Sequence, residues 1–126
     1  MENIIELFKK DKFSAMAGIK IVETHPGHAK CQMKVTENHL NGLGLLMGGA
    51  TFTLADFTFS LAANNYGALA VSQNANITYM RKCTHGTVTA IASEISRSER
   101  IGVYRVSISD DDNMLIAEFT GTCYFK

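Results

Sequence analysis

Residues 41–67 read "NGLGLLMGGATFTLADFTFSLAANNYG". A glycine-rich loop leads into a run from Ala50 to Tyr66 that contains neither Gly nor Pro and is rich in Ala, Leu and Phe, and Gly67 follows it. This pattern predicts a helix from Gly48 to about Tyr66 with a glycine stop. Its threonines and phenylalanines have weak intrinsic helix propensity, and apolar residues surround the whole cylinder. Burial must therefore stabilise it. Asp56 alone carries charge within it.

Downstream, four runs at about 69–81, 87–96, 101–109 and 114–125 read as strands, separated by "CTHG", "RSERIG" and "DDDN". In the last run, Leu115, Ala117, Phe119, Gly121, Cys123 and Phe125 alternate strictly with the intervening residues. Upstream, residues 3–13 predict one short amphipathic helix, with Ile4, Ile5, Leu7 and Phe8 lying over a sheet edge. Pro26 and Gly27 mark a turn, and Ala29, Cys31, Met33 and Val35 form the inward face of a half-buried strand. A buried helix followed by an antiparallel meander is an α+β arrangement, a hotdog fold in which the sheet wraps the helix.

The 126 residues suit a single domain, 1–126. Twelve basic and twelve acidic residues cancel, which leaves no electrostatic footprint for nucleic acid or an anionic membrane. "MENIIELFKKDKF" lacks a signal peptide's apolar segment, and no run of 18 or more apolar residues suggests a membrane span. A soluble, cytoplasmic protein is expected. Cys31, Cys83 and Cys123 are odd in number and without CxxC spacing, as expected of reduced core or near-core thiols. His25, His28, His39 and His85 occupy turn-like places where a solvated imidazole is ordinary, and Asp110 to Asp112 read as a solvated hairpin turn. Neither a metal site nor a cofactor is expected.

Asp56 is the first chemistry-bearing candidate. It is either a carboxylate on a face that reaches water, bonded to Thr53 or Ser60, or a desolvated base or nucleophile suited to a carbonyl substrate. Gly48 and Gly49 begin the helix, where unpaired N–H groups and the positive dipole end can stabilise an oxyanion; a plain turn pair is the alternative. At about 1.5 Å rise per residue, Gly48 and Asp56 stand roughly 12 Å apart along one axis. They cannot act on one carbonyl within a single chain. Two copies packed with antiparallel helices bring Gly48 of one towards Asp56 of the other, so the catalytic reading demands a homodimer with composite sites.

Asn41 either orients substrate or simply forms the turn before Gly42. Ser72 shares strand parity with Asn74, Asn76 and Thr78, which makes it either part of a polar sheet face or a hydroxyl that positions water. Arg81 and Lys82 close the strand, and Phe52, Phe57, Phe59 and Leu61 can belong to the core or to an acyl pocket.

"NGLGLLMGGATFTLAD" resembles the N-x-x-G-x-x-H-G-G-x-x-x-x-L-x-D signature of the PaaI-type hotdog acyl-CoA thioesterases. "VSQNANITYMRK" and "LIAEFTGTCYFK" resemble later strands of that family, so the similarity covers about residues 38–126. The resemblance implies hydrolysis of an acyl- or aryl-CoA thioester by a homodimer that assembles to a tetramer. It implies Asp56 as nucleophile or general base, Gly48 as the N–H that polarises the thioester carbonyl, and Asn41 near the carbonyl or leaving sulfur. Ser72 would help place water. Gly49 and Met47 would contact substrate, and Arg81 and Lys82 would meet the phosphates of coenzyme A. Met47 stands where the family carries His, and Lys82 where many members carry Pro. The alternative is an acyl-CoA binding protein with impaired catalysis.

Overall fold

A computed structural model describes residues 3–126, so the first two residues of the expected 1–126 domain lie outside it. The central helix α3 spans Gly48–Ala63 and ends before the expected Tyr66. Asn64 stops it: its Nδ2 donates to the Ser60 carbonyl at 2.9 Å, and its Oδ1 accepts from the Ala70 N–H at 2.9 Å. Gly67, at φ 82°, serves the following turn and not the helix end.

Six antiparallel strands wrap this helix: β1 Ile19–His25, β2 His28–Lys34, β3 Ala70–Tyr79, β4 Thr87–Arg97, β5 Ile101–Ser109 and β6 Leu115–Phe125. Their order in the sheet is β1-β2-β4-β5-β6-β3. Leu54, Phe59 and Leu61 of α3 are fully buried against Val88, Tyr104, Val106 and Phe119 of the sheet, which defines an α+β hotdog fold. The Phe59 ring lies 5.5 Å from Tyr104 and 5.7 Å from Phe119. A Cβ at position 121 would come within 2.9 Å of both phenylalanines, so β6 needs Gly121 there to admit the aromatic pair.

Strand β1 is absent from the sequence expectation. A register shift between Ile21 and Glu23 lets Ile21 and the exposed Val22 sit side by side, which breaks the alternation that announces a strand. The N-terminal segment is also two helices instead of one, α1 Ile4–Phe8 and α2 Lys12–Met16, with Asp11 restarting the chain as the cap of α2. They pack against the central helix, where Phe8 and Phe57 meet edge-to-face at 5.5 Å, and also against the edge strand β1, with Ile5, Ala15, Ile19 and Ile21 lining one cleft, so the segment does lie over a sheet edge.

Strand β3 forms one edge of the sheet, and most of its residues are exposed. A bulge between Ser72 and Asn74 overturns the expected shared parity. Ser72 opposes the inward Cys123, whereas Asn74 opposes Thr122, so the two side chains occupy opposite faces. Cys31, Cys83 and Cys123 are free and buried. Among the described residues, no helix is long and apolar enough to cross a membrane.

Candidate active site

Gly48 occupies the first position of α3, where the leading N–H groups have no upstream carbonyl within the helix to accept them. Asn41, Gly48, Arg81 and Lys82 line one cleft of about 360 Å³. The Asn41 Oδ1 accepts from the N–H groups of Leu43 and Leu45 at 2.9 and 3.1 Å, so the turn-forming role is real. Its Nδ2 remains the donor available to a ligand. Tyr79, at the end of β3, joins this cleft and donates its hydroxyl to the Gly48 carbonyl at 2.9 Å. Burial pushes the Tyr79 hydroxyl above its ordinary value, which keeps it the donor at neutral pH.

Asp56 opens elsewhere, into a cleft of about 270 Å³ walled by Phe8, Phe13, Phe52 and Phe57. It does not hold Thr53, whose hydroxyl turns back to the Gly49 carbonyl at 2.8 Å. Burial raises the Asp56 carboxyl above its ordinary 3.8, and the charge of Asp11 raises it further. The half-buried carboxylate is a stronger base than a solvated one. Phe52 and Phe57 thus face this cleft, whereas Phe59 and Leu61 belong to the core.

Met47 and Gly49 line a third, largely apolar cleft of about 430 Å³ together with Phe13 and Met16. The glycine pair therefore divides, Gly48 facing one cleft and Gly49 another. Met47 makes no side-chain capping bond at the helix start and is 54% exposed. Its backbone N–H donates to the His39 carbonyl at 2.8 Å.

His39 corrects the expectation of a solvated imidazole. It is buried, its Nδ1 accepts from the Thr36 N–H at 2.9 Å, and its Nε2 meets the Ala17 carbonyl at 2.7 Å. That is the neutral tautomer with the proton on Nε2. It fastens the end of α2 to the loop that enters α3. The T-x-x-H spacing of Thr36 and His39 before a helix is the sequence signal for such a capping box.

Ser72 lies apart from all three clefts, exposed on the edge strand. Arg97 pairs with Glu94 at 3.6 Å over the Tyr66 ring, and Arg100 donates to the Tyr124 hydroxyl at 2.6 Å, so both serve the fold. Asp110 accepts from the N–H groups of Asp112 and Met114 at 2.9 and 3.0 Å, which closes the hairpin turn. Asp11 and Tyr79 escaped the sequence reading. An Asp directly before a short apolar segment is a helix-start residue type and could have marked the first; Tyr79 carried no signal beyond its place at a strand end.

Fold and site together define a hotdog protein with a basic carboxylate halfway along its central helix. The thioesterase superfamily matches residues 43–117. The acyl-coenzyme A thioesterase PaaI of Escherichia coli is 32% identical over 121 residues, covering 95% of this chain and 86% of that protein. Human acyl-coenzyme A thioesterase 13 is 38% identical over 97 residues, covering 75% of this chain and 69% of its own length. The solved structure of the E. coli PaaI protein superposes with a TM-score of 0.94 at 30% identity, covering 98% and 91% of the two chains. The chain belongs to the PaaI-type hotdog thioesterase family and is homologous to acyl-CoA thioesterases.

Proposed function

We propose that the protein hydrolyses an acyl- or aryl-CoA thioester to the free acid and coenzyme A, at sites shared between two copies of the chain. The observation that carries this reading is a separation: Asp56 and Gly48 of one chain face different clefts. Each half lacks the other. The exposed β3 edge offers unpaired backbone groups through which a second copy can extend the sheet, and such dimers can assemble further into a tetramer.

In the composite site, the Gly48 N–H of one copy receives the thioester carbonyl, and Asp56 of the other supplies the base. Asp56 takes a proton from water as the water oxygen bonds to carbon, or its own oxygen attacks first to give an acyl anhydride that water cleaves. In the first route the C–S bond then breaks and Asp56 passes its proton to the leaving thiolate; in the second the C–S bond breaks as the anhydride forms, and the thiolate takes a proton from the water that later cleaves the anhydride. The Asn41 amide lies near the reacting carbonyl, while Arg81 and Lys82 at the mouth of the same cleft suit the phosphates of coenzyme A. Gly49 and Met47 contact the acyl part, and Ser72 places water if the second copy brings it to the site.

Thiol release from a panel of acyl- and aryl-CoA thioesters, set beside binding by calorimetry, tests this. Asp56→Asn should abolish release and leave the dimer intact; full turnover in that variant overturns the assignment. The exposed thioether of Met47 at the helix start favours one other reading, a binding protein, which saturable binding without Asp56-dependent release would select.

A further inference from the structure

Asp56 shares its cleft with a second carboxylate. Asp11 comes from the turn between α1 and α2, and its Oδ2 accepts from the Ser14 hydroxyl at 2.7 Å. Ser14 is itself buried, 5% exposed, so the Asp11 carboxylate is held by a fixed donor. The wall opposite Asp56 is otherwise aromatic, with Phe8 from α1 and Phe13 from α2. The rings stand beside hydroxyls of Ser14, Thr53 and Ser60, so it is the half-burial of Asp56 that limits the water screening the two charges.

A census of the groups facing Asp56 makes the arrangement specific. Its own helix adds the hydroxyls of Thr53 and Ser60, α1 adds Phe8, and α2 adds Phe13 and Ser14. Asp11 is the one other charged side chain lining the cleft among the described residues, and its sign is the same. Lys9 from the end of α1 and Lys20 from β1 line a neighbouring cleft that Asp11 also borders and Asp56 does not. Helix capping does not explain the residue, because the Asp11 side chain accepts from no α2 N–H. Facing a half-buried carboxylate with another one costs stability, a cost that functional sites commonly carry.

We propose that Asp11 is a positioning residue that acts through Asp56, its fixed negative charge keeping Asp56 a strong base. This rests on the reading of Asp56 as the group that deprotonates water or attacks the thioester. In either step the charge on Asp56 is neutralised as its oxygen takes a proton or bonds to the acyl carbon, and repulsion from Asp11 is relieved at that moment. The relief lowers the barrier and leaves substrate binding untouched. The shift in Asp56 basicity described above, with burial first and Asp11 second, agrees with this geometry.

Asp11→Asn isolates the charge, since the Asp11 side chain makes no capping bond to an α2 N–H and the Asn Oδ1 can still accept from the Ser14 hydroxyl. The pH profile of kcat/KM for thiol release is measured in wild type, Asp11→Asn and Asp11→Glu, with the Asp56 carboxyl titrated directly by 13C NMR in each. Removing a like charge should move the Asp56 titration and the acid limb of the profile to lower pH, reduce plateau kcat and leave KM unchanged. Asp11→Glu should restore both curves. An Asp56 titration that stays in place in Asp11→Asn overturns the proposal, as does a rise in KM with the acid limb unmoved. A moved titration in a protein without Asp56-dependent thiol release leaves the coupling standing and removes the hydrolase reading instead.

Discussion

The Tyr79 hydroxyl donates to the Gly48 carbonyl at 2.9 Å, joining the last residue of β3 to the first residue of α3. The same ring lies 3.0 Å from where a Cβ at position 48 would stand. A side chain at position 48 would press on the Tyr79 ring as well as on any ligand that approaches the helix start. Sheet edge and helix start are thereby held in one geometry.

Two substitutions separate these effects. Tyr79→Phe keeps the ring and removes the bond, and should cost about 0.5–1.5 kcal/mol, read as a lowered urea midpoint. Gly48→Ala keeps the backbone N–H but pushes against the ring and crowds the carbonyl site. The fold should survive, while kcat/KM falls by about 10²-fold through misplacement of the reacting groups. Unchanged turnover in Gly48→Ala would remove Gly48 from the site.

Asp56 should lower stability in a pH-dependent way. Its carboxyl is raised in the folded protein above the ordinary 3.8, by burial first and by Asp11 second, so the folded state binds this proton more tightly than the unfolded chain. The stability associated with the protonated form is complete below 3.8 and is lost as pH rises through the folded value. Asp56→Asn should therefore melt above wild type at neutral pH, with the gap closing in acid. A gap that stays constant with pH, or reverses, contradicts the account.

Replacement of His39 tests the link between α2 and the glycine-rich loop. His39→Ala leaves the Thr36 N–H and the Ala17 carbonyl without their partner and should destabilise by about 1–3 kcal/mol before any cavity cost. Denaturant midpoints measure it. An effect within error of zero would show that the imidazole contributes nothing to holding α2.

Met47→His supplies an imidazole donor beside the glycine pair. If the site works as proposed, kcat/KM should rise, with about 10²–10³-fold as the ceiling set by a donor of oxyanion-hole quality. Turnover unchanged across the substrate panel would mean that position 47 does not reach the reacting carbonyl.

Much of this was legible from periodicity. The last four strands stood out because burial imposes regular spacing on Ala90, Val106 and Phe119 and their neighbours, whereas α3 stood out by its length without a Gly or Pro after Gly49. β1 did not, because the irregularity at Ile21 to Glu23 puts apolar residues side by side. The same effect hid the true face of Ser72, since one bulged residue reverses every side chain beyond it. The family signature led to Asp56, Gly48 and Asn41. Asp11, Tyr79 and His39 stood outside it, because a surface-like Asp, a strand-end Tyr and a turn His gain their meaning only from the residues that folding places opposite them.

The central helix has a single charged side chain and only a narrow polar row, Thr53, Asp56 and Ser60, on an otherwise apolar cylinder, so it has little reason to exist apart from the sheet. Both residues on which hydrolysis would depend, Gly48 and Asp56, ride on that one element. A partly unfolded chain that kept the sheet but released the helix would expose Leu54, Phe59 and Leu61 together, a surface more prone to clump than to wait. Catalytic competence and protection from aggregation are thus set by the same docking event. Selection on turnover, in this architecture, is also selection on solubility.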